Sequence, residues 1–305
     1  MSLERSRLSN VQLVPLTPFS DDGTRVRPEI LSAFASDLYR EGVRVFIPGA
    51  GTGEFHSLSA DEVVSCVKAV REGAGAEATV IAPIGLGLTH ALTIGRRAIE
   101  AGADALLVMP LVHPYLGDSG VRDYFRVLME ALPLPFLAYK KGPYPSDHLL
   151  GELAGTGQLI GVKYAVNDVN AVARFIQEFG QRVGVYCGTA ERFAPFFHLA
   201  GASGYTSGAG NVCPRLTLAL HRALKEGDQA RAWELMEVIR PIEDYRARLG
   251  DSYNISLLKV AIRLTGRDFG PVRPPQPRLD KADEHAIQAM LEPILAIEAS
   301  MPSIH

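Results

Sequence analysis

The chain predicts a closed (β/α)8 barrel, the TIM-barrel architecture of the α/β class, followed by a helical extension. Three observations carry that prediction. Apolar runs of strand length alternate with amphipathic helical stretches eight times between residues 11 and 226. The apolar runs are nearly continuous, as strands buried on both faces require. No dinucleotide-binding fingerprint follows an early strand, because the third glycine position holds Glu54 after Gly49 and Gly51, and His90 after Gly85 and Gly87. That absence weakens the competing open, doubly wound sheet.

In order, the expected strands are residues 11–16, 43–48, 79–84, 105–109, 135–139, 159–163, 183–187 and 203–206. Amphipathic stretches at 28–41, 60–72, 89–101, 119–131, 147–154, 168–179, 191–200 and 214–226 supply the helices. Ser59 with Glu62 three residues on forms a capping-box signal, Asp168 is a good N-cap, and Pro214 suits a first helical turn. Gly42, Gly102, Gly180 and Gly201 follow helices as C-terminal caps. Strand signals stop near Gly227, which divides the chain into a barrel over 1–227 and an extension over 228–305. The extension carries helical patterns at 228–248, 254–264 and 281–299, the last after the Gly270-Pro271-Val272-Arg273-Pro274-Pro275 linker. Its expected role is to pack against the barrel or another subunit, with Trp233 in the core.

At 305 residues, with 47% apolar and 21% charged residues and a net charge of −3, the chain describes a globular protein without a basic nucleic-acid face. The three cysteines, Cys66, Cys187 and Cys213, are widely spaced and form no C-x-x-C, so neither a disulfide frame nor a zinc site is indicated. Residues 1–10 lack a signal-type apolar core, and no apolar run approaches the roughly 18 residues of a membrane span. The expected setting is the cytoplasm, with no nucleic-acid or membrane partner.

Barrel sites form at the C-terminal ends of the strands. Strand six ends in Lys163. By itself this residue is better explained as a lysine snorkelling from a strand end, but a desolvated amine with a lowered pKa is also a nucleophile toward carbonyls. Strand five, its expected neighbour at about 4.8 Å, ends in Tyr139, so phenol and amine can face one cavity. Side chains alternate, so an inward Tyr139 implies an inward Lys141 and an outward Lys140. Lys141 then either binds a second substrate carboxylate or depresses the pKa of Lys163. A solvated loop explains the Lys140-Lys141 pair slightly better.

The Gly49-Ala50-Gly51-Thr52-Gly53-Glu54 stretch after strand two leaves backbone N–H groups uncovered beside the Thr52 hydroxyl. It reads equally as a carboxylate-binding nest or as an ordinary glycine-rich turn. Gly188 and Thr189 after strand seven, and Thr206 and Ser207 at strand eight, offer small residues and hydroxyls around a ligand. A phosphate site there would have only Arg215 as its basic residue.

Together these pieces resemble the dihydrodipicolinate synthase and N-acetylneuraminate lyase family. The resemblance runs from Leu16-Thr17-Pro18-Phe19 through Gly53-Glu54, the strand-five tyrosine and Gly161-Val162-Lys163 to Gly210-Asn211-Val212. It implies that Lys163 forms an imine with a 2-oxo acid, that Tyr139 relays protons, and that Gly51 and Thr52 hold the acid's carboxylate. It further implies no metal or organic cofactor, and a homodimer or homotetramer. Lysine-biosynthetic members have two hydroxyl residues in the glycine loop and an arginine five residues after the tyrosine. Here those positions hold Gly51 and Tyr144, which argues against that role. The phenol that a neighbouring subunit donates in such proteins has Tyr115 as its candidate.

The 51–62 stretch and Gly270-Pro271-Val272-Arg273-Pro274 look like the branch containing 5-dehydro-4-deoxyglucarate dehydratase, which removes water and carbon dioxide from a six-carbon keto diacid. The expected function is dehydration or aldol-type cleavage of a keto-deoxy sugar acid. Condensation of pyruvate with an aldehyde, a sugar-acid sensor without catalysis and an interaction scaffold are the alternatives.

Overall fold

In the computed structural model, which describes residues 3–302, eight parallel strands close into one barrel in chain order. They are β1 (Val11–Leu13), β2 (Val45–Phe46), β3 (Thr79–Ile84), β4 (Ala105–Val108), β5 (Phe136–Lys140), β6 (Leu159–Tyr164), β7 (Gly184–Cys187) and β8 (Gly204–Ser207). A short helix, α1 (Arg5–Leu8), precedes the barrel. The surrounding helices are α2 (Pro28–Arg40), α3 (Ala60–Ala74), α4 (Leu88–Glu100), α5 (Asp118–Ala131), α6 (Asp147–Ala154), α7 (Val169–Phe179), α8 (Ala194–Leu199) and α9 (Pro214–Glu226). No helix among the described residues is long and apolar enough to cross a membrane.

The eight expected units are all present, and the differences lie at their ends. β1 and β2 are shorter than their apolar runs because Pro15 and Pro48 have no N–H to give a ladder. Single bonds continue the pairing, from Val14 N to Ser207 O and from Ile47 N to Leu13 O. The helix after β7 starts at Ala194, near Pro195, because residues 188–193 form a turn that buries Glu191. The Ser59–Glu62 capping box forms in both directions, and Asp168 accepts from Ala171 N as an N-cap.

The remaining helices are α10 (Gln229–Arg246), α11 (Arg248–Asp251), α12 (Ser256–Leu264) and α13 (Lys281–Ser300). Left-handed Leu249 and Gly250 break the chain within α11, so this turn redirects it between the flanking helices. α10 packs on α9, and α13 packs on α9, α10 and α12. Trp233 is a correction to the sequence reading. It is 37% exposed on the outer face of α10, with its ring edge-on to Phe196 at 5.4 Å. The buried stripe of that helix is made instead by Leu235, Met236, Ile239, Ile242, Glu243 and Arg246.

Helices α2 and α3 cross closely at Gly73, where an added Cβ would lie 2.0 Å from the Ser32 carbonyl oxygen. Alanine gains about 1 kcal/mol of helix propensity over glycine, but overpacking against backbone costs about 1–3 kcal/mol. Gly73→Ala is therefore expected to lower unfolding stability in urea by up to about 2 kcal/mol; a gain in stability would contradict the close crossing.

Candidate active site

Residues 159–162 are apolar and place β6 in the barrel wall, so Lys163 emerges at its end with only 4% of its surface exposed. β5 and β6 pair with Tyr139 opposite Lys163, and the lysine Nζ lies 4.1 Å from the centre of the tyrosine ring. Burial first, then the Lys141 charge and, more weakly, that of Arg246, bring the Lys163 amine down from 10.5 to about 7. Burial pushes the Tyr139 phenol up to about 12. The pair is thus a partly neutral amine beside a phenol that keeps its proton.

Both side chains open on a cavity of about 630 Å³ at the C-terminal end of the barrel. Gly51, Thr52 and Lys141 line it, as do Gly188, Thr189, Thr206 and Ser207. These seven residues, Lys163 and Tyr139 therefore face one space. Thr189 donates to Asn167 Oδ1 at 2.8 Å, and Thr206 donates to the Cys187 carbonyl at 3.3 Å. Ser207 donates to the fully buried Glu191, whose Oε1 also accepts from Thr217 at 2.7 Å. Burial and the nearby Glu243 hold the Glu191 carboxyl above its usual range.

Lys141 is exposed and lines the cavity, whereas Lys140 is only 5% exposed and points to the helix side. Its ammonium donates to the Pro145 carbonyl at 2.9 Å and pairs with Asp147 at 3.3 Å. The solvated-loop reading therefore fails for Lys140, because alternation turns it outward to the helix layer, where carbonyls and a carboxylate rather than water receive it. Tyr144 is not among the lining residues. Tyr115, 87% exposed with its backbone N–H on His113 Nδ1, stands outside the cavity of its own chain. Arg215 is committed to Glu41 at 2.7 Å and to the Met301 carbonyl, so it is not a free phosphate ligand.

The extension does more than pack. Glu243, Arg246, Asn254 and Gln276 all line the cavity, and none was identified from sequence. A signal was present: Glu243 and Arg246 fall on the apolar stripe of α10 in phase with Ile239 and Ile242, where charge needs a reason.

The glycine loop is held from the same side. Glu54 adopts a left-handed conformation at φ 67° and buries its carboxylate, which accepts from Arg273 N at 3.0 Å and Gln276 Nε2 at 3.1 Å. Lys259 Nζ is 3.6 Å away, an ion pair beyond hydrogen-bond reach, and donates to the Phe269 carbonyl at 2.9 Å. Burial raises the Glu54 pKa and lowers that of Lys259 to about 8. Arg273 makes a two-pronged contact with Glu62 at 2.7 and 2.8 Å. The ring of Phe19 lies under both cations, 4.5 Å from Lys259 Nζ and 4.2 Å from the Arg273 guanidinium.

A desolvated strand-six lysine beside a strand-five tyrosine faces a glycine loop across a (β/α)8 barrel, an arrangement able to take up a carbonyl. Residues 7–294 match the model of the dihydrodipicolinate synthetase family. The chain belongs to this family, a family of Schiff-base lyases. Among its relatives, a probable 5-dehydro-4-deoxyglucarate dehydratase 1 from Streptomyces coelicolor is 32% identical, over 90% of this chain and 88% of that protein. The like-named protein from Streptomyces avermitilis is 34% identical, over 86% and 88%. The crystal structure of dihydrodipicolinate synthase from Oceanobacillus iheyensis superposes with a TM-score of 0.90 at 35% identity, covering 94% of this chain and 97% of that one.

Removing one partner of a buried ion pair leaves an uncompensated charge, at a cost of about 3–5 kcal/mol. Lys259→Met is therefore expected to lower unfolding stability by about that much and, by loosening Glu54, to raise the concentration of 2-oxo acid needed for half-saturation. Unchanged stability and saturation would contradict the role given to this pair.

Proposed function

We propose that the protein is a Schiff-base lyase for 2-oxo acids that dehydrates a keto-deoxy sugar diacid such as 5-dehydro-4-deoxyglucarate. The observation that carries this reading is the Lys163 amine, brought to about 7 at the floor of a polar cavity. At neutral pH a lysine at 10.5 is neutral in roughly one molecule in three thousand, whereas one near 7 is neutral in about half. Burial, with the Lys141 and Arg246 charges, thus supplies about three orders of magnitude in available nucleophile.

In this mechanism Lys163 attacks the ketone, a C–N bond forms, and the ketone oxygen leaves as water. The resulting iminium withdraws electrons from the neighbouring carbon, so its C–H becomes acidic. Loss of that proton to the water released on imine formation gives an enamine, whose electron pair expels the β-hydroxyl. Tyr139, protonated at neutral pH like any phenol, is placed to give the departing oxygen its proton. The backbone around Gly51 and Thr52 receives the carboxylate next to the ketone. At Gly51 an added Cβ would meet nothing within 4 Å, so the slot that would carry a second hydroxyl is open space. The substrate choice is supported by the relatives' names and by the departures at Gly51 and Tyr144 from the lysine-biosynthetic pattern. The exposed Tyr115 is the residue we assign to reach a neighbouring copy.

Borohydride added with a 2-oxo acid is expected to fix the reduced ligand on Lys163, as read by peptide mass, and Lys163→Ala should abolish both labelling and turnover. Tyr139→Phe should keep the labelling but slow turnover about 10²–10⁴-fold. Labelling at another residue, or tight sugar-acid binding with no labelling by any oxo acid, would overturn the lyase reading in favour of a sensor.

A further inference from the structure

β6, which carries Lys163 one residue before its end, and β2, which leads to Gly51 and Thr52, lie opposite each other in the closed strand order. A 2-oxo acid with its ketone at the first and its carboxylate at the second lies across the barrel. The rest of its chain must leave by one of two flanks, above β4 or above β8. Met109 and Pro110 line the β4 flank, with the exposed Lys141 at its β5 edge and His56 at its β2 edge, whereas Thr206, Ser207 and, beyond them, Arg246 line the β8 flank. Only the β8 flank carries a buried cation held in place by its neighbours.

Arg246 reaches that flank from the extension. It is 5% exposed, and its guanidinium rests on Gly208, where an added Cβ would lie 2.4 Å from Nη2 and 2.6 Å from Nη1. Any larger residue at 208 would push it out of the cavity wall. Nη1 donates to Glu243 Oε1 at 2.5 Å, Nε to the Asn254 carbonyl at 3.2 Å, and Nη2 to Asn254 Oδ1 at 2.8 Å. Three of the five N–H donors are used by described residues, which leaves one on each terminal nitrogen.

We propose that Arg246 recognises the far carboxylate of a diacid substrate through the remaining N–H groups of Nη1 and Nη2. The assignment rests on the Schiff-base reading and specifies its substrate class: a 2-oxo acid with a second carboxylate at the opposite end. Glu243 already offsets the guanidinium charge. The carboxylate is therefore oriented without being locked in a tight ion pair; after the β-hydroxyl has left, the electrons of its C–C bond can run through the new C=C into the iminium as carbon dioxide departs. Lys141, exposed on a flexible stem at the end of β5 and away from the β8 flank, is left with its effect on Lys163 rather than with the second carboxylate.

The test compares three acids in borohydride trapping: pyruvate, 5-dehydro-4-deoxyglucarate, and the matching deoxy-keto acid that ends in CH2OH. The wild type should trap the diacid at a concentration about 10- to 100-fold lower than the CH2OH acid, the range expected for charge-assisted hydrogen bonds. Arg246→Gln should erase that preference, so that the diacid loses about 10- to 100-fold relative to pyruvate, whose own trapping shifts only as far as the loss of one weak neighbouring cation moves the Lys163 amine. Arg246→Lys, which keeps a cation beside Glu243, should restore part of the preference. An equal loss for pyruvate and the diacid, or an undiminished preference in Arg246→Gln, overturns the assignment. If the wild type traps none of the acids, the Schiff-base reading falls first and the assignment falls with it. Pyruvate trapping that persists while diacid preference is absent overturns Arg246 alone.

Discussion

Keeping one lysine amine out of water is the constraint on which the site depends. A charged ammonium in a nearly dry position is costly, and the least expensive response is to shed the proton. The barrel enforces that outcome by ending β6 under the Tyr139 ring, and Lys141 and Arg246 add repulsion on the same side of the balance. The phenol is moved the opposite way by the same burial. One environment therefore yields a partly neutral amine and a phenol that keeps its proton at adjacent strand ends, a nucleophile beside a proton donor.

The extension is tied to this chemistry at two places by buried charges. Lys259 and Arg273 clamp Glu54 at the root of the glycine loop, while the Glu243–Arg246 pair lies in the cavity wall above β8. Apolar residues could have packed these helices at lower desolvation cost. Charges there fix the orientation of a loop backbone and of a guanidinium fork, which apolar contacts do not.

Much of this was legible in the chain, because a barrel strand is a local signal. Residues 79–84, 147–154 and 214–226 give the observed elements to the residue, since the apolar pattern and the caps agree. β1 and β2 stopped early at prolines whose effect on the ladder outweighs the apolar pattern. The facing of Tyr139 and Lys163 also followed from strand order. Arg246 did not, since its place over Gly208 depends on how α10 docks on α9 and on the break at Leu249 and Gly250, neither of which is encoded near strand eight. Lys140 and Trp233 were misread for a related reason: alternation and amphipathicity give the face a side chain takes, but not what waits on that face.

The protonation state of Lys163 is where the account is most directly exposed. With lysine labelled by carbon-13 at Cε, its NMR shift followed from pH 5 to 11 should titrate near 7, and the midpoint should rise in Lys141→Gln as one neighbouring cation is removed. A midpoint close to 10.5, indifferent to Lys141, would show a solvated ammonium at the end of β6 and would contradict the account at its root.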